Sequence, residues 1–310
     1  MFKKILVPLD RSHVAEKALA LAAVLAQQNE GQLTLFHVPI HHEVVPPVPI
    51  EYSATTAGYD WSWSQDLVQE SNRNGERYLI DMQNRYLHPN VDVQIEIGSG
   101  DVASAIWEES VVQDSDLIAM STHGYSGMTR WILGSVTEKV LRVASCPVLV
   151  LRDDRPIRRI LVPLDGSNLA EYALEPAFEL AQALGAEITL LRVDADLTQL
   201  GYRELRGLET MERGLGTAVL EGYYAQGQAY LESVARRFRN FDVPVTVMTL
   251  RGKPASEILR MSVDFDLVAM ATHGRSGVEK WVYGSVTEKV LRQAERGMLI
   301  VRPPLALLKG

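Results

Sequence analysis

The chain contains itself twice. The run Ile-Leu-Val-Pro-Leu-Asp at Ile5 to Asp10 recurs unchanged at Ile160 to Asp165, and the nine residues from Gly134 to Arg142 recur unchanged from Gly284 to Arg292. Thr122-His123-Gly124 returns as Thr272-His273-Gly274, and Trp131 as Trp281. The offset falls from 155 residues at the start to 150 near the end, so the copies differ by a few residues in their loops. Solenoid units repeat every 20–50 residues or so, far less than this. The repeat is therefore a duplicated domain, and 310 residues supply two of ordinary size. The copies run 1–152 and 156–310, joined at Asp153-Asp154-Arg155-Pro156, a short charged linker that ends in proline.

Each copy reads as strand alternating with helix. In the first, residues 4–9 form an apolar run bounded by Asp10, which predicts a buried strand. Residues 12–28 set Ala15, Ala18, Ala22 and Leu25 on one helical stripe. Strands are expected at 32–38, 91–97, 116–121 and 147–151, and helices at 64–86, 102–112 and from Ser135. Residues 39–63 read as irregular and aromatic, with Tyr52, Tyr59, Trp61 and Trp63 as a candidate lid or docking surface; the matching stretch around 201–224 differs in sequence. Such alternation predicts an α/β fold of two doubly wound open sheets, each of five mainly parallel strands with helices on both faces. Two prolines strain the pattern. Pro8 and Pro163 must lie near the carboxyl ends of their strands, where a missing N–H costs little, and Pro176 is expected to kink a helix.

Charge and cysteine usage narrow the function. There are 31 Lys+Arg against 39 Asp+Glu, a net charge of −8, which disfavours general nucleic-acid binding. The first 152 residues carry a balance of −7 and the rest −1, so the second half tolerates an anionic ligand better. One cysteine, Cys146, excludes an intramolecular disulfide framework and a multi-thiolate metal site; it reads as a packed residue. The start of the chain is too short in apolar residues for a signal-peptide core, and no run approaches the ~20 of a membrane span. A cytoplasmic protein without membrane contact is expected.

In open parallel sheets, ligands bind beyond the carboxyl ends of the strands. Strand one delivers Asp10 or Asp165 there. Strand four delivers Ser121-Thr122-His123-Gly124 or Ala271-Thr272-His273-Gly274. Nine residues then lead to Gly134-Ser135 or Gly284-Ser285, each opening a helix. Glycines allow close backbone approach, and a helix start favours phosphate through free N–H groups and the dipole. An acid at the far end of the crevice can accept from an adenine amino group or a ribose hydroxyl. Structural readings stand beside these. Ser135-x-x-Glu138 and Ser285-x-x-Glu288 fit capping boxes, and Asp10 and Asp165 fit ordinary N-caps.

The combination of Ile-Leu-Val-Pro-Leu-Asp with Gly124-x9-Gly134-Ser135, present in both halves, closely resembles the universal stress protein family. The resemblance covers essentially the entire chain and implies a tandem pair of such domains. It implies strand order 3-2-1-4-5 in each, with the fifth strands meeting so that 147–151 lies beside 298–302, an intramolecular pseudo-dimer that leaves pairing with a second chain open. It implies ATP as ligand, with Mg2+ carried on the phosphates. Asp10 and Asp165 would contact adenine, and Val38 and Val193 would lie near the adenosine. The phosphates would fall to Ser121, Gly124, Gly127, Gly134, Ser135 and Val136, and to Ala271, Gly274, Gly277, Gly284, Ser285 and Val286. The family's nucleotide-binding branch carries Gly-x2-Gly-x9-Gly; here the first glycine is Ser121 or Ala271, whose β-carbon narrows the approach.

Other motifs carry less. Gly98-Ser99-Gly100-Asp101-Val102-Ala103 matches a dinucleotide fingerprint, yet it follows the third strand, and its counterpart from Leu250 to Ala255 keeps only the middle glycine. His41 and His42 beside Glu43 fall short of a metal set. His123 and His273 either touch a ligand or fix their loop. Arg236, Arg237 and Arg239 suit a helix end. Neither copy offers a Walker A lysine or a nucleophile with an attendant base. The expectation is a nucleotide-binding stress or signalling protein in which ATP acts as a conformational ligand. A nucleotide-free scaffold of the same fold is the alternative.

Overall fold

The computed structural model describes residues 2–39, 62–121, 133–153, 155–194, 215–272 and 284–304. The first repeat runs β1 (Lys4–Pro8), α1 (His13–Asn29), β2 (Gln32–His37), α2 (Ser62–Tyr86), β3 (Asp92–Ile97), α3 (Val102–Val112), β4 (Leu117–Ser121), α4 (Ser135–Val143) and β5 (Val148–Leu151). The second runs β6 (Arg159–Pro163), α5 (Asn168–Glu171), α6 (Leu174–Leu184), β7 (Glu187–Asp194), α7 (Leu215–Arg237), β8 (Val245–Arg251), α8 (Pro254–Ser262), β9 (Leu267–Ala271), α9 (Ser285–Gln293) and β10 (Gly297–Val301). Most of 39–63, including Tyr52, Tyr59 and Trp61, lies outside the described residues. Of the stretch 201–224, residues from Leu215 onward are helical, the start of α7.

The prolines find positions that suit them. Pro8 and Pro163 are the last residues of β1 and β6, and the ladder resumes beyond each. Leu9 N donates to Phe36 O and Leu164 N to Leu191 O, both at 2.8 Å. Pro176 does not kink a continuous helix. The segment matching α1 is split into α5 and α6, and Pro176 sits in the first turn of α6, where its missing N–H would have had no helical partner.

The two predicted sheets are one. Ten strands run in the order β3-β2-β1-β4-β5-β10-β9-β6-β7-β8. Within each repeat neighbouring strands are parallel in the expected order. The repeats join through an antiparallel pair in which Val148, Leu149 and Val150 face Ile300, Leu299 and Met298. Each repeat alone would leave its fifth strand as an unpaired edge, and two such edges related by a pseudo-twofold satisfy one another. All six residues are buried. Both core layers continue through them, so separating the repeats would expose apolar surface as well as two strand edges.

Strand side chains alternate between two core layers, as a period of two requires. Ile5, Val7, Leu117 and Ala119 join Ile160, Val162, Leu149 and Leu299 on the face covered by α1, α2, α6 and α7. Leu6, Ile118, Met120 and Val148 join Leu161, Val268 and Ile300 on the face covered by α3, α4, α8 and α9. Both layers cross the seam. Ala15, Ala18, Ala22 and Leu25 of α1 are buried, as the stripe predicts. At the linker, Arg155 N donates to Asp153 Oδ1 at 3.2 Å, and Arg296 of the second repeat reaches Asp153 at 3.8 Å. Among the described residues no helix is long and apolar enough to cross a membrane.

Candidate functional site

The carboxyl ends of β6, β7 and β9 open on a cavity of about 400 Å³ in the second repeat. Its walls include Asp165, Val193, Ala271, Gly284, Ser285 and Val286. These are the second-repeat positions singled out from sequence, apart from Gly274 and Gly277, which lie outside the described residues. Small-ligand pockets span about 300–1,000 Å³, so the space suits a ligand of nucleotide size. In the first repeat Asp10, Val38, Ser121, Gly134, Ser135 and Val136 stand at the corresponding ends of β1, β2 and β4 and the start of α4. Gly124 and Gly127 lie outside the described residues, as do His41, His42, His123 and His273.

The acids are not N-caps. Ser12 caps α1, accepting from Ala15 N at 3.2 Å, and Ser167 does the same for α5 through Ala170 N. Asp10 Oδ1 instead accepts from Ser12 N at 2.9 Å; Asp165 Oδ1 accepts from Ser167 N at 2.9 Å and from its hydroxyl at 2.6 Å. The serine cap therefore orients the acid that precedes it. A carboxylate has more acceptor sites than these bonds use.

The capping boxes are also absent. Gly134 and Gly284 occupy the N-cap positions of α4 and α9, so Ser135 and Ser285 are the first helical residues and cap nothing. Glycine brings no side chain to the first-turn N–H groups, which is the arrangement an anion needs. Glu138 turns to arginine instead. It accepts from Arg142 at 2.7 Å and from Arg292 of the other repeat at 3.2 Å, and the Arg142 bond leads in holding its carboxyl below the usual range. Glu288 pairs with Arg292 at 3.2 Å.

What fixes these helix starts is a threonine that sequence reasoning passed over. Thr137 Oγ1 donates to Ser121 O at 3.1 Å, and Thr287 Oγ1 to Ala271 O at 3.0 Å. Both threonines are buried. In the second repeat Gly284 N also donates to Thr272 O at 2.7 Å. The verbatim Gly-Ser-Val-Thr-Glu repeat was the available signal.

The second cavity has polar walls that the repeat motif does not contain. Asp194, 3% exposed, takes Arg192 Nε on Oδ1 at 2.7 Å, while its Oδ2 has no hydrogen-bond partner. The Arg192 guanidinium lies 5.6 Å from the Tyr230 ring centroid. Helix α7 crosses closely enough that a β-carbon on Gly227 would stand 2.7 Å from Asp194 Oδ2. A mid-helix glycine costs about 1 kcal/mol, and here it makes room for the carboxylate. Tyr223 adds an aromatic wall. Arg192, Asp194 and Tyr223 correspond to nothing in the shared motif, so only the fold reveals them.

The remaining motifs resolve without a ligand. Gly98 packs under Phe36, and Gly100, at φ +84°, makes the turn into α3. Cys146 is buried, and burial above all pushes its thiol up to about 12, far from a reactive thiolate.

Comparison with known proteins agrees with this architecture. The model of the Universal stress protein family matches residues 1–152 and again 156–302. A universal stress protein of Mycobacterium tuberculosis is 24% identical over 96% of this chain and 96% of its own. One from Mycolicibacterium smegmatis is 26% identical over 96% and 97%. The crystal structure of a universal stress protein from Archaeoglobus fulgidus superposes with a TM-score of 0.65 at 20% identity, covering 97% of this chain and 99% of that one.

Proposed function

The chain belongs to the universal stress protein family in both of its repeats, and from that premise we propose that it is a stress-response protein that binds ATP at the carboxyl end of its sheet. Membership carries the stress-response role; the nucleotide is our reading. The base would meet Asp165 and Val193 in the second repeat, and Asp10 and Val38 in the first. The phosphates would meet the bare starts of α9 and α4. The observation that carries this is the gathering of Asp165, Val193, Ala271, Gly284, Ser285 and Val286 around one cavity, beneath a helix start that no side chain caps.

ATP acts here as a ligand that sets conformation. The helices that would grip phosphate also hold the seam, since Glu138 of α4 pairs with Arg292 of α9. A phosphate drawn to either helix start therefore pulls on the contact between repeats. Among the described residues no group of three or more His, Cys, Asp or Glu could hold a metal, so Mg2+ would arrive on the phosphates. Asp165 and the main chain orient the nucleotide; the cavity's apolar walls exclude water from the base.

The nucleotide-free scaffold is favoured by one observation. Ala271 sits where the family's nucleotide-binding branch has glycine, and its methyl helps to wall the cavity. One experiment separates the two readings. Protein is purified and denatured, and released adenine nucleotide is measured; ATP is then titrated into the wild type, Gly134→Val and Gly284→Val. The proposal expects two binding events in the wild type and the loss of one in each variant. Full binding in both variants, or none in the wild type, would overturn it.

A further inference from the structure

The repeats diverge at one place beside the site. In the first, Asp101 caps α3, taking Ser104 N at 3.1 Å and the Ser104 hydroxyl at 3.0 Å. Its other oxygen receives the Lys139 ammonium at 3.0 Å, which ties the start of α3 to α4 and lowers the carboxyl's pKa. The counterparts in the second repeat are Lys253 and Lys289. A neutral pair has become two cations.

Their helices flank the cavity. Lys253 is the N-cap of α8 and makes no side-chain cap bond; Pro254, the next residue, walls the cavity. Lys289 lies on α9, whose first residues wall it from the other side, and α8 packs against α9. Arg251 replaces Ser99 and lies over the Tyr224 ring, 3.8 Å from its centroid, and among the described residues it enters no ion pair. Two acids of the same helices are engaged elsewhere, Glu257 by Arg260 at 2.7 Å and Glu288 by Arg292 at 3.2 Å. Among the described residues neither Lys253 nor Lys289 enters an ion pair. Like charges on two packed helices, at positions whose first-repeat counterparts touch at 3.0 Å, favour a polyanion between them.

We propose that Lys253 and Lys289 form an anion clamp at the mouth of the second cavity, which makes that site select a nucleoside triphosphate over a monophosphate. The first site, whose equivalent lysine is neutralised by Asp101, discriminates less. This inference rests on the nucleotide reading above. Lysine suits the task, since an ammonium acts as a point charge on a flexible stem that can follow a phosphate tail.

The test is calorimetric titration of ATP and AMP into the full chain as wild type, Lys253→Asp and Asp101→Lys, at low and high salt. Lys253→Asp recreates the ion pair of the first repeat and places a good N-cap on α8, so the fold is retained. ATP affinity at the second site is expected to fall about tenfold, while AMP affinity changes about twofold or less, and high salt should erase the difference. Asp101→Lys should raise the preference of the first site for ATP by a similar factor. ATP binding with an unchanged ATP-to-AMP ratio in Lys253→Asp would overturn the clamp alone. No ATP binding in the wild type would overturn the nucleotide reading and the clamp with it.

Discussion

The guanidinium of Arg152, the residue that follows β5 in the first repeat, donates to the carbonyl of Leu291 in the last turn of α9 in the second, at 2.8 Å. The pseudo-twofold returns the favour, since Arg302 donates to the carbonyl of Arg142 at the end of α4, at 2.7 Å. Each repeat thus supplies the cation that sits at the negative end of the other's last helix. The two partners differ in burial. Arg152 is 8% exposed, and burial alone draws its pKa down to about 10; its Nε and Nη1 have no partner.

Truncating Arg152 should therefore loosen the seam. A hydrogen bond from a charged group is worth about 1.5–3 kcal/mol, and the buried charge with its two unpartnered nitrogens offsets part of it, so Arg152→Ala should lose at most about 1.5 kcal/mol in urea unfolding. Arg302→Ala, whose bond is exposed, should lose less than about 1 kcal/mol. Equal losses would show that burial does not set the value of these caps.

A second prediction concerns acid. His37 is buried, its Nδ1 lies 2.6 Å from Leu9 O, and its ring meets Tyr78 edge-on. Burial, ahead of all other causes, lowers its pKa from 6.5, with Arg11 acting in the same direction. The unfolded chain therefore takes a proton near pH 6.5 while the folded chain resists it. The contribution of His37 to stability is complete above that pH and is lost as pH falls below it. Asp116 works oppositely and lower, since burial raises its pKa above 3.8 and acid relieves the penalty. Unfolding measured from pH 7.5 to 5 should show declining stability, and His37→Gln should flatten the decline. A slope unchanged by the substitution would assign it to other groups.

The reach of sequence reasoning follows from these contacts. Strand and helix positions were legible because Ile5, Leu6 and Val7 must alternate between two dry faces, and Ser12 starts α1 by capping it. The joining of the sheets was half legible. The pattern Val-Leu-Val is the same for a strand paired on one side or both, so the family likeness suggested the meeting of β5 and β10 while the single sheet emerged only from their register. The helix starts misled because Ser-x-x-Glu matches a capping box in sequence, while the observed N-caps are the glycines one residue earlier. The Thr137 and Thr287 bonds, with Gly284 N to Thr272 O in the second repeat, fix the helix one residue further toward the amino end. Arg192, Asp194 and Tyr223 lie in segments that the duplication did not preserve, so no internal comparison could flag them.

Those threonines provide a third prediction. Thr287→Val keeps the shape of the side chain and removes the donor that Ala271 O receives at 3.0 Å. A buried polar group deprived of its partner costs about 1–3 kcal/mol, so the variant should unfold at lower urea. The start of α9 also loses its tether, so ATP binding at the second site should weaken about tenfold if that helix end grips phosphate. Stability loss with unchanged ATP affinity would make Thr287 a purely structural pin.

The last prediction turns on why a dinucleotide-like turn exists in a place where no dinucleotide is expected. A β-carbon on Gly98 would lie 2.4 Å from Phe36 Cζ and 3.0 Å from Val38 Cγ2. The second repeat solves the same packing differently, with Leu191 where the first has Phe36 and Leu250 where it has Gly98. The glycine is thus matched to the ring, and the two should couple. Gly98→Ala alone should cost about 1–3 kcal/mol by overpacking, and Phe36→Leu alone about 1 kcal/mol or slightly more through the space it leaves. Together they should cost at least about 1 kcal/mol less than their sum, because the smaller leucine admits the methyl. Strict additivity in this double-mutant cycle would mean that Gly98 is kept for something other than Phe36, with Val38 as the next neighbour to test.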